Sequence, residues 1–574
     1  MLLRPSPFAL PYVFLSSILA SAASATPAWS QGPGAWASLY ELWGPVGYGG
    51  FGESLDSIGD LDGDGVPDLA VTVPVTYTAD GEIHVYSGAD GSLLLLIREA
   101  IPPESYSGAC VRAGGDLDGD GTPDLLVGTP VSSPGGVTGA GAVRVVSGST
   151  GDLLYEVLGT SYLGNFGYRV ASIGDLDGDG FPDFAVGEIF ADSGSLQFAG
   201  AIHVLSGMDG TLLYRIDGVD AGGHLGDSLA AGTDLDGDGF GDILAGASTT
   251  DTAGGFGAGS VFAFSGATGA RILRIDGQET SSRLGFSVSF AGDLTGDGVS
   301  EILAGAVMAP AADGTLSTGS VFVFSGADGT EYLRFDGEEA FDETGYSVEG
   351  GRDTNGDGIP DLLIGAPGTN GDTGTLQVRS GLDGSLLHVL EGAEPGARLG
   401  AAVSFAGDLD GDGLQDLAAG SPMASPGIPP QAGQVVVLGF EPFLWAEDRE
   451  VSISGDELLE LHLDFPEEEG GAPYQLLLSA SGTGPTPLGN GVEVPLTADA
   501  LFQRTLQRDY GMLPLHQGAT GILDPAGDGF IAAGFPPGLP AVAPGRVYHA
   551  AVVTGSPSAG PSSTSVAVPF TVVP

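Results

Sequence analysis

Cysteine occurs once in the 574 residues, at Cys110. No internal disulfide is therefore available, and something else must hold the fold. Basic side chains are scarce, 17 against 74 acidic ones, for a net charge of −57. Nucleic acid and anionic membranes both call for a basic footprint, so neither is an expected partner. The seven histidines are scattered, and no HExxH, no Walker loop and no Gly-x-Ser-x-Gly elbow with a placed histidine occurs. Long apolar runs are missing as well. The best candidate, from about Phe8 to Ala20, falls short of the ~20 residues a spanning helix needs. It follows Arg4, the lone charge of the first 25 residues, and precedes Ala23-Ser24-Ala25. That order is an export signal. Residues 1–25 are expected to be removed, with cleavage after Ala25 or, as second choice, after Ser30. A linker at 26–34 would follow, and the mature protein would be secreted to the extracellular space or periplasm without a membrane span.

Glycine is what the chain has in excess, 100 residues, without the every-third-residue period of collagen. A nonapeptide recurs seven times: DLDGDGVPD from Asp60, DLDGDGTPD from Asp116, DLDGDGFPD from Asp175, DLDGDGFGD from Asp234, DLTGDGVSE from Asp293, DTNGDGIPD from Asp353 and DLDGDGLQD from Asp408. Successive starts lie 56, 59, 59, 59, 60 and 55 residues apart, so one supersecondary unit is repeated. No unit holds an amphipathic stretch of helical period, which excludes helical solenoids. Each unit instead holds four short strand-like runs; in the third these are Tyr168–Ile173, Phe184–Val186, Ala201–Leu205 and a fourth like Leu153–Leu158 of the unit before. Ser-Gly turns such as Ser206-Gly207 separate the third run from the fourth. The expected fold is all-β, a seven-bladed β-propeller over residues 35–440.

Unit seven has its third strand, Gln434–Leu438, but no fourth. Leu39-Tyr40-Glu41-Leu42-Trp43-Gly44 matches Leu154-Tyr155-Glu156-Val157-Leu158-Gly159. The N-terminal segment is thus expected to supply the missing outer strand and close the ring. Aliphatic residues recur five places before each acidic loop (Leu55, Val111, Val170, Leu229, Val288, Val348, Val403) and read as core. Cys110, where other units have Ser54, Ser228, Ser287 or Ser347, reads as a small packed residue. His84 and His203, equivalent to Arg144, Phe262, Phe322 and Gln377, read as a tolerant surface position.

Aspartates at positions 1, 3 and 5 of the nonapeptide, glycines between them and a carboxylate at position 9 form a tight loop of converging oxygens. Carboxylates brought that close repel one another unless a cation lies among them. Hard oxygen donors without His or Cys favour Ca²⁺, with Mg²⁺ second. In the first loop Asp60, Asp62, Asp64 and Asp68 are the expected side-chain ligands and the Val66 carbonyl the backbone ligand. The corresponding sets are Asp116, Asp118, Asp120, Thr122 and Asp124; Asp175, Asp177, Asp179, Phe181 and Asp183; and Asp234, Asp236, Asp238, Phe240 and Asp242. The last three are Asp293, Thr295, Asp297, Val299 and Glu301; Asp353, Asn355, Asp357, Ile359 and Asp361; and Asp408, Asp410, Asp412, Leu414 and Asp416. Up to seven Ca²⁺ are expected, with loops five and six weaker because each has three carboxylates instead of four.

The units resemble FG-GAP repeats, which build the propeller of integrin α chains and of many bacterial secreted proteins. The motif stands as Phe51-Gly52, Phe166-Gly167 and Gly365-Ala366-Pro367, and in weaker form as Leu225-Gly226, Leu284-Gly285, Gly128-Thr129-Pro130 and Gly246-Ala247-Ser248. The resemblance implies calcium in the acidic loops. Leg domains, a membrane span and an RGD sequence are lacking, so a bacterial secreted relative fits better than an integrin. Residues 441–574 alternate apolar and polar at Leu459–Phe465 and Val566–Val572 and are read as a small C-terminal β-sandwich, with a short helix near 499–508. Two functions follow as expectations. One is adhesion or recognition of a protein or glycan ligand through the face opposite the calcium loops, where Glu188–Ala199 with Phe190 and Phe198 stands out. The other is a propeller hydrolase or lyase acting on polysaccharide from that same face.

Overall fold

The computed structural model describes residues 36–45, 50–74, 81–101, 110–355, 358–411, 413–425 and 431–440, and beyond them only strand segments between 444 and 573. The expected signal and linker lie outside the described residues. Helix among those described is confined to the short turns Pro134–Gly136 and Thr369–Asp372. Repeats one to six each form one four-stranded antiparallel sheet in chain order, and the seventh takes its fourth strand from the N-terminal segment. Blade 2 is Cys110–Gly115, Asp124–Thr129, Ala142–Val146 and Leu153–Leu158. Blade 3 is Phe166–Gly174, Asp183–Glu188, Ala201–Leu205 and Leu212–Asp217. The other first strands are Leu55–Gly59, Ser228–Thr233, Leu284–Gly292, Ser347–Arg352 and Ala402–Gly407. Consecutive first strands pack side by side, and the seventh packs back on the first, so the sheets form a closed ring of seven blades.

Burial follows position in the blade. The second strand of every blade is buried over all six residues. It lies between two strands in its own sheet and between two neighbouring blades, and its sequence is correspondingly a continuous apolar run such as Leu-Leu-Val. Outer strands show alternating exposure, as in Leu153–Leu158. Of the aliphatic positions ahead of the acidic loops, six are buried and Val348 is half-buried against the same core.

The ring closes as the repeat arithmetic requires. Trp36–Trp43 lies antiparallel to Gln434–Phe440, with Trp43 opposite Gln434 and Trp36 opposite Phe440. Tyr40 then hooks this blade to the next, its hydroxyl donating to the Gly88 carbonyl of blade 1 at 2.9 Å. Its counterparts Tyr155 and Tyr214 donate in the same way to Gly207 and Gly266 of the blades that follow them.

The glycines of the repeated motif explain how closely blades approach. A Cβ on Gly128, Gly187, Gly246, Gly305, Gly365 or Gly420 would overlap the carbonyl oxygen of Gly167, Gly226, Gly285, Gly345, Gly400 or Gly52 respectively, each in the next blade. Those partner glycines hold φ between +84° and +94°, a region L-residues avoid. Ser228, Ser287 and Ser347 donate to the same carbonyls of Gly285, Gly345 and Gly400 at 2.7, 2.7 and 2.8 Å. Cys110 fills this slot in blade 2, buried, with Sγ 4.0 Å from the Gly167 carbonyl.

One expectation is overturned. His84 and His203 do not occupy a tolerant surface position. His84 is buried, between Tyr86 (3.0 Å) and Glu82 (3.0 Å). His203 is half-buried and bonded to Glu188 at 2.9 Å. Both rings stand edge-on to the phenylalanines of the repeat motif, Phe51 and Phe166, and the equivalent Phe262 is buried too. Strand alternation alone did not reveal that Phe51 and Phe166 cover this face, or that Glu82 and Glu188 pair with its histidines.

C-terminal to the propeller, Leu444–Ala446, Leu459–Asp464, Asp528–Ala533 and Leu515–Gln517 share one sheet. Glu450–Ser452, Val568–Val573, Val547–Ser556, Pro473–Ser479 and Thr520–Ile522 lie side by side in a second. The helix expected near 499–508 lies outside the described residues.

Candidate metal centres

Each acidic loop joins the first strand of a blade to the second, and one hydrogen-bond scheme recurs in six of them among the described residues. The position-1 carboxylate folds the loop around itself: Asp60 accepts the Gly63 N–H at 2.7 Å and the Gly65 N–H at 2.9 Å. Asp116, Asp175, Asp234, Asp293 and Asp408 each accept the equivalent pair. Both glycines of the first loop have φ above +80°, which makes so tight a turn possible.

Position 9 starts the second strand and is buried in every blade. Asp68 accepts the Leu61 N–H at 2.7 Å and the Gly88 N–H at 3.1 Å. Asp124, Asp183 and Asp242 repeat this with the amides of Leu117 and Gly148, Leu176 and Gly207, and Leu235 and Gly266. The Ser-Gly turn between third and fourth strands thus delivers its glycine amide to the acidic loop. The spacing of the turns was visible in the sequence; their partner was not.

Carboxylate oxygens from positions 1, 3 and 9 come within 4.8 Å of one another in five loops: Asp60, Asp62 and Asp68; Asp116, Asp118 and Asp124; Asp175, Asp177 and Asp183; Asp234, Asp236 and Asp242; Asp408, Asp410 and Asp416. Position 5 stands outside these groups. Asp64, Asp120, Asp179, Asp238 and Asp297 each accept the amide of position 7, namely Val66, Thr122, Phe181, Phe240 and Val299, at 2.8–2.9 Å. The second oxygen of Asp120 accepts the Ser149 hydroxyl at 2.5 Å and that of Asp179 the Ser206 hydroxyl at 3.3 Å.

Loop five places Thr295 Oγ1 3.2 Å from Glu301, beside Asp293. In loop six Asp361 accepts both the amide and the hydroxyl of Thr354, at 2.9 and 2.6 Å. Asp357 and Asp412 lie outside the described residues.

Electrostatics suit a cation. Burial, and then the charges of Asp118 and Asp120, push Asp124 up to about 6. Burial also raises Asp68, Asp183, Asp242 and Glu301, with the other loop carboxylates adding to it. These acids are held close together at a cost that a bound positive charge would offset. An all-oxygen donor set fits Ca²⁺.

Comparison with known proteins places these loops in a family context. The FG-GAP repeat model matches residues 113–146, 166–205, 344–378 and 399–438, and an FG-GAP-like repeat model matches 60–127. The chain is 34% identical to integrin alpha-5 of Xenopus laevis over 220 residues, 35% of this chain and 20% of that one. It is 33% identical to Xenopus laevis integrin alpha-4 over 186 residues, 30% of this chain and 17% of the relative. Against integrin alpha-V of Gallus gallus it is 37% identical over 151 residues, 25% of this chain and 14% of the relative. The match thus spans a fifth or less of these relatives' length. No helix among the described residues is long and apolar enough to cross a membrane.

Proposed function

We propose that this propeller of FG-GAP repeats, similar over part of its length to integrin α chains, is a calcium-stabilised extracellular recognition protein. It binds a protein or glycan through the face opposite the acidic loops. One observation carries the choice of face. The four most exposed large apolar side chains described are Tyr162, Phe256, Leu316 and Phe341, each 72–76% exposed. All four lie on connections from second to third or from fourth to first strands, on the face away from the acidic loops. Phe198 and Phe341 project from backbone at φ +53° and +72°. Bulky side chains there carry strain of about 1–3 kcal/mol each, which is commonly kept where binding uses it. Exposed apolar groups gathered on one face mark interaction surfaces.

In this reading Asp60, Asp62 and Asp68 and their counterparts would hold the ion in each blade, with position 5 and the position-7 carbonyl completing the set. The ion supplies positive charge that fixes the hairpin; the opposite face supplies recognition. Export by the N-terminal signal, a bacterial secreted origin and a C-terminal sandwich that anchors or presents the propeller belong to the same proposal.

Arrays of glycans and matrix proteins, probed with the full chain and followed by product analysis, test it. Stable binding that Phe256→Ser with Phe341→Ser abolishes at unchanged melting temperature is the expected result. Turnover of a polysaccharide, lost on replacing a carboxylate of that face, would overturn it in favour of a hydrolase or lyase.

A further inference from the structure

Three junctions between blades are filled by a polar side chain, and the junction between blades 3 and 4 is not. Between blades 2 and 3, Glu188 fills the gap beside Gly164: it is buried, bonded to His203, and a Cβ on Gly164 would crowd its carboxylate. Between blades 4 and 5 the plug is Ser282, buried and donating to the Ala258 carbonyl at 2.9 Å. Between blades 5 and 6 it is Asp342, buried and accepting the amides of Glu338 and Glu339.

At the junction of blades 3 and 4 the repeat puts Ala247 where Glu188 stands and Gly223 where Ser282 and Asp342 stand. Neither side chain reaches across. A cavity of about 320 Å³ results, walled by Leu225, Ala247, Phe262 and Phe264. The two phenylalanine rings are stacked, 5.8 Å between centroids and 9° between planes.

One polar group inside it is unused. Thr250 is 0% exposed, lines the cavity, and its Oγ1 has no hydrogen-bond partner in the protein. Blades 3, 5 and 7 have Ala191, Ala309 and Ala424 at this place, all buried. Blades 2 and 6 have hydroxyls, but Ser132 and Thr369 donate theirs to the carbonyl three residues back, at 2.8 and 3.0 Å. Thr250 does not; its hydroxyl faces Gly223. A buried hydroxyl left unpaired costs free energy, which a ligand group bonding to it would recover.

Charges at the rim are largely cancelled. Asp217 pairs with Arg215 at 3.0 Å and Asp220 with Arg274 at 2.9 Å, while Arg271 stands exposed. The size, the aromatic wall and the single interior hydroxyl together define the ligand chemistry.

We propose that the cavity between blades 3 and 4 is a binding site for an uncharged aromatic ring bearing one hydrogen-bonding group, phenol-like in character, whose polar atom bonds to Thr250 Oγ1. Such a ring is presented either by a free small aromatic molecule or by a tyrosine side chain of a partner polypeptide. The site is separate from the acidic loops and does not depend on the exposed aromatics of the opposite face.

Ligand-observed NMR titration of the full chain with p-cresol and with toluene tests this. Wild type is expected to bind p-cresol about five- to tenfold tighter than toluene, the worth of one hydrogen bond. Thr250→Val, an isosteric change, should abolish the preference and keep toluene binding. Gly223→Ser, which restores the plug of the neighbouring junction, should remove both at an unlowered melting temperature. Competition by a short tyrosine-containing peptide assigns the ring to a partner chain; p-cresol binding without competition assigns it to a free molecule. No saturable binding by wild type, no preference for p-cresol, a preference that survives Thr250→Val, or wild-type binding in Gly223→Ser would each overturn the proposal.

Discussion

Ser228, Ser287 and Ser347 each spend a hydroxyl on a carbonyl of the next blade. Replacing Ser287 by alanine leaves the Gly345 carbonyl without that donor, at about 1–2 kcal/mol; urea unfolding measures it. Cys110→Ser should be neutral or stabilising, because the slot already suits a donor. Near the axis a different residue effect operates. Glu349 on blade 6 feels the charges of Asp56 on blade 1 and Arg112 on blade 2, so groups from three blades meet there. Burial first, then Asp56, pushes its carboxyl up to about 8, while Arg112 pulls it back. The folded protein therefore holds a proton that the unfolded chain, with an ordinary glutamate pKa near ~4.3, gives up. The stability this contributes is complete below the unfolded pKa and is lost as pH rises through about 8. Glu349→Gln should accordingly raise the melting temperature more at pH ~9 than at pH ~5; equal shifts at the two would refute the assignment.

Positions 9 and 5 of the acidic hairpins are tied into the fold to different degrees. Position 9 is buried and secures two backbone amides, as Asp183 does for Leu176 and Gly207. Position 5 is exposed and holds one amide of its own loop, as Asp179 does for Phe181. Asp183→Ala should therefore cost about 2–4 kcal/mol even in chelator, since two amides lose their partner. Asp179→Ala should cost under about 0.5 kcal/mol in chelator and distinctly more in calcium. Urea unfolding under the two conditions separates them, and equal costs for Asp179→Ala would remove it from the ion's surroundings. Much of this element was legible beforehand. The period gave the number of blades, and aspartates at fixed offsets gave the loops. What could not be read was which residues meet across a sheet: the amide that Gly88 lends to Asp68, or the phenylalanines that cover His84 and His203. Each depends on residues some 20 to 60 positions away meeting across a sheet or a junction, and strand periodicity carries no information about that.

The ring as a whole is closed by its own first strand. Leu39–Trp43 was recognisable because it copies Leu154–Leu158, down to the tyrosine whose hydroxyl reaches the next blade. Removing residues 36–43 should leave Gln434–Phe440 as an open edge, which pairs readily with another chain. Size-exclusion chromatography should show the truncated chain self-associating more than the full chain. In the proposed reading the closed ring would make calcium binding act on the stability of the whole molecule. Each ion at about ten times its dissociation constant would contribute roughly 1.4 kcal/mol, so one in each of up to seven loops would rival the stability of an ordinary domain. Thermal unfolding of the full chain in millimolar calcium and in excess chelator tests this most directly. Calcium should raise the melting temperature by roughly ten degrees or more, and adding it back should restore the difference. Superimposable curves would mean that the aspartate loops hold no stabilising ion.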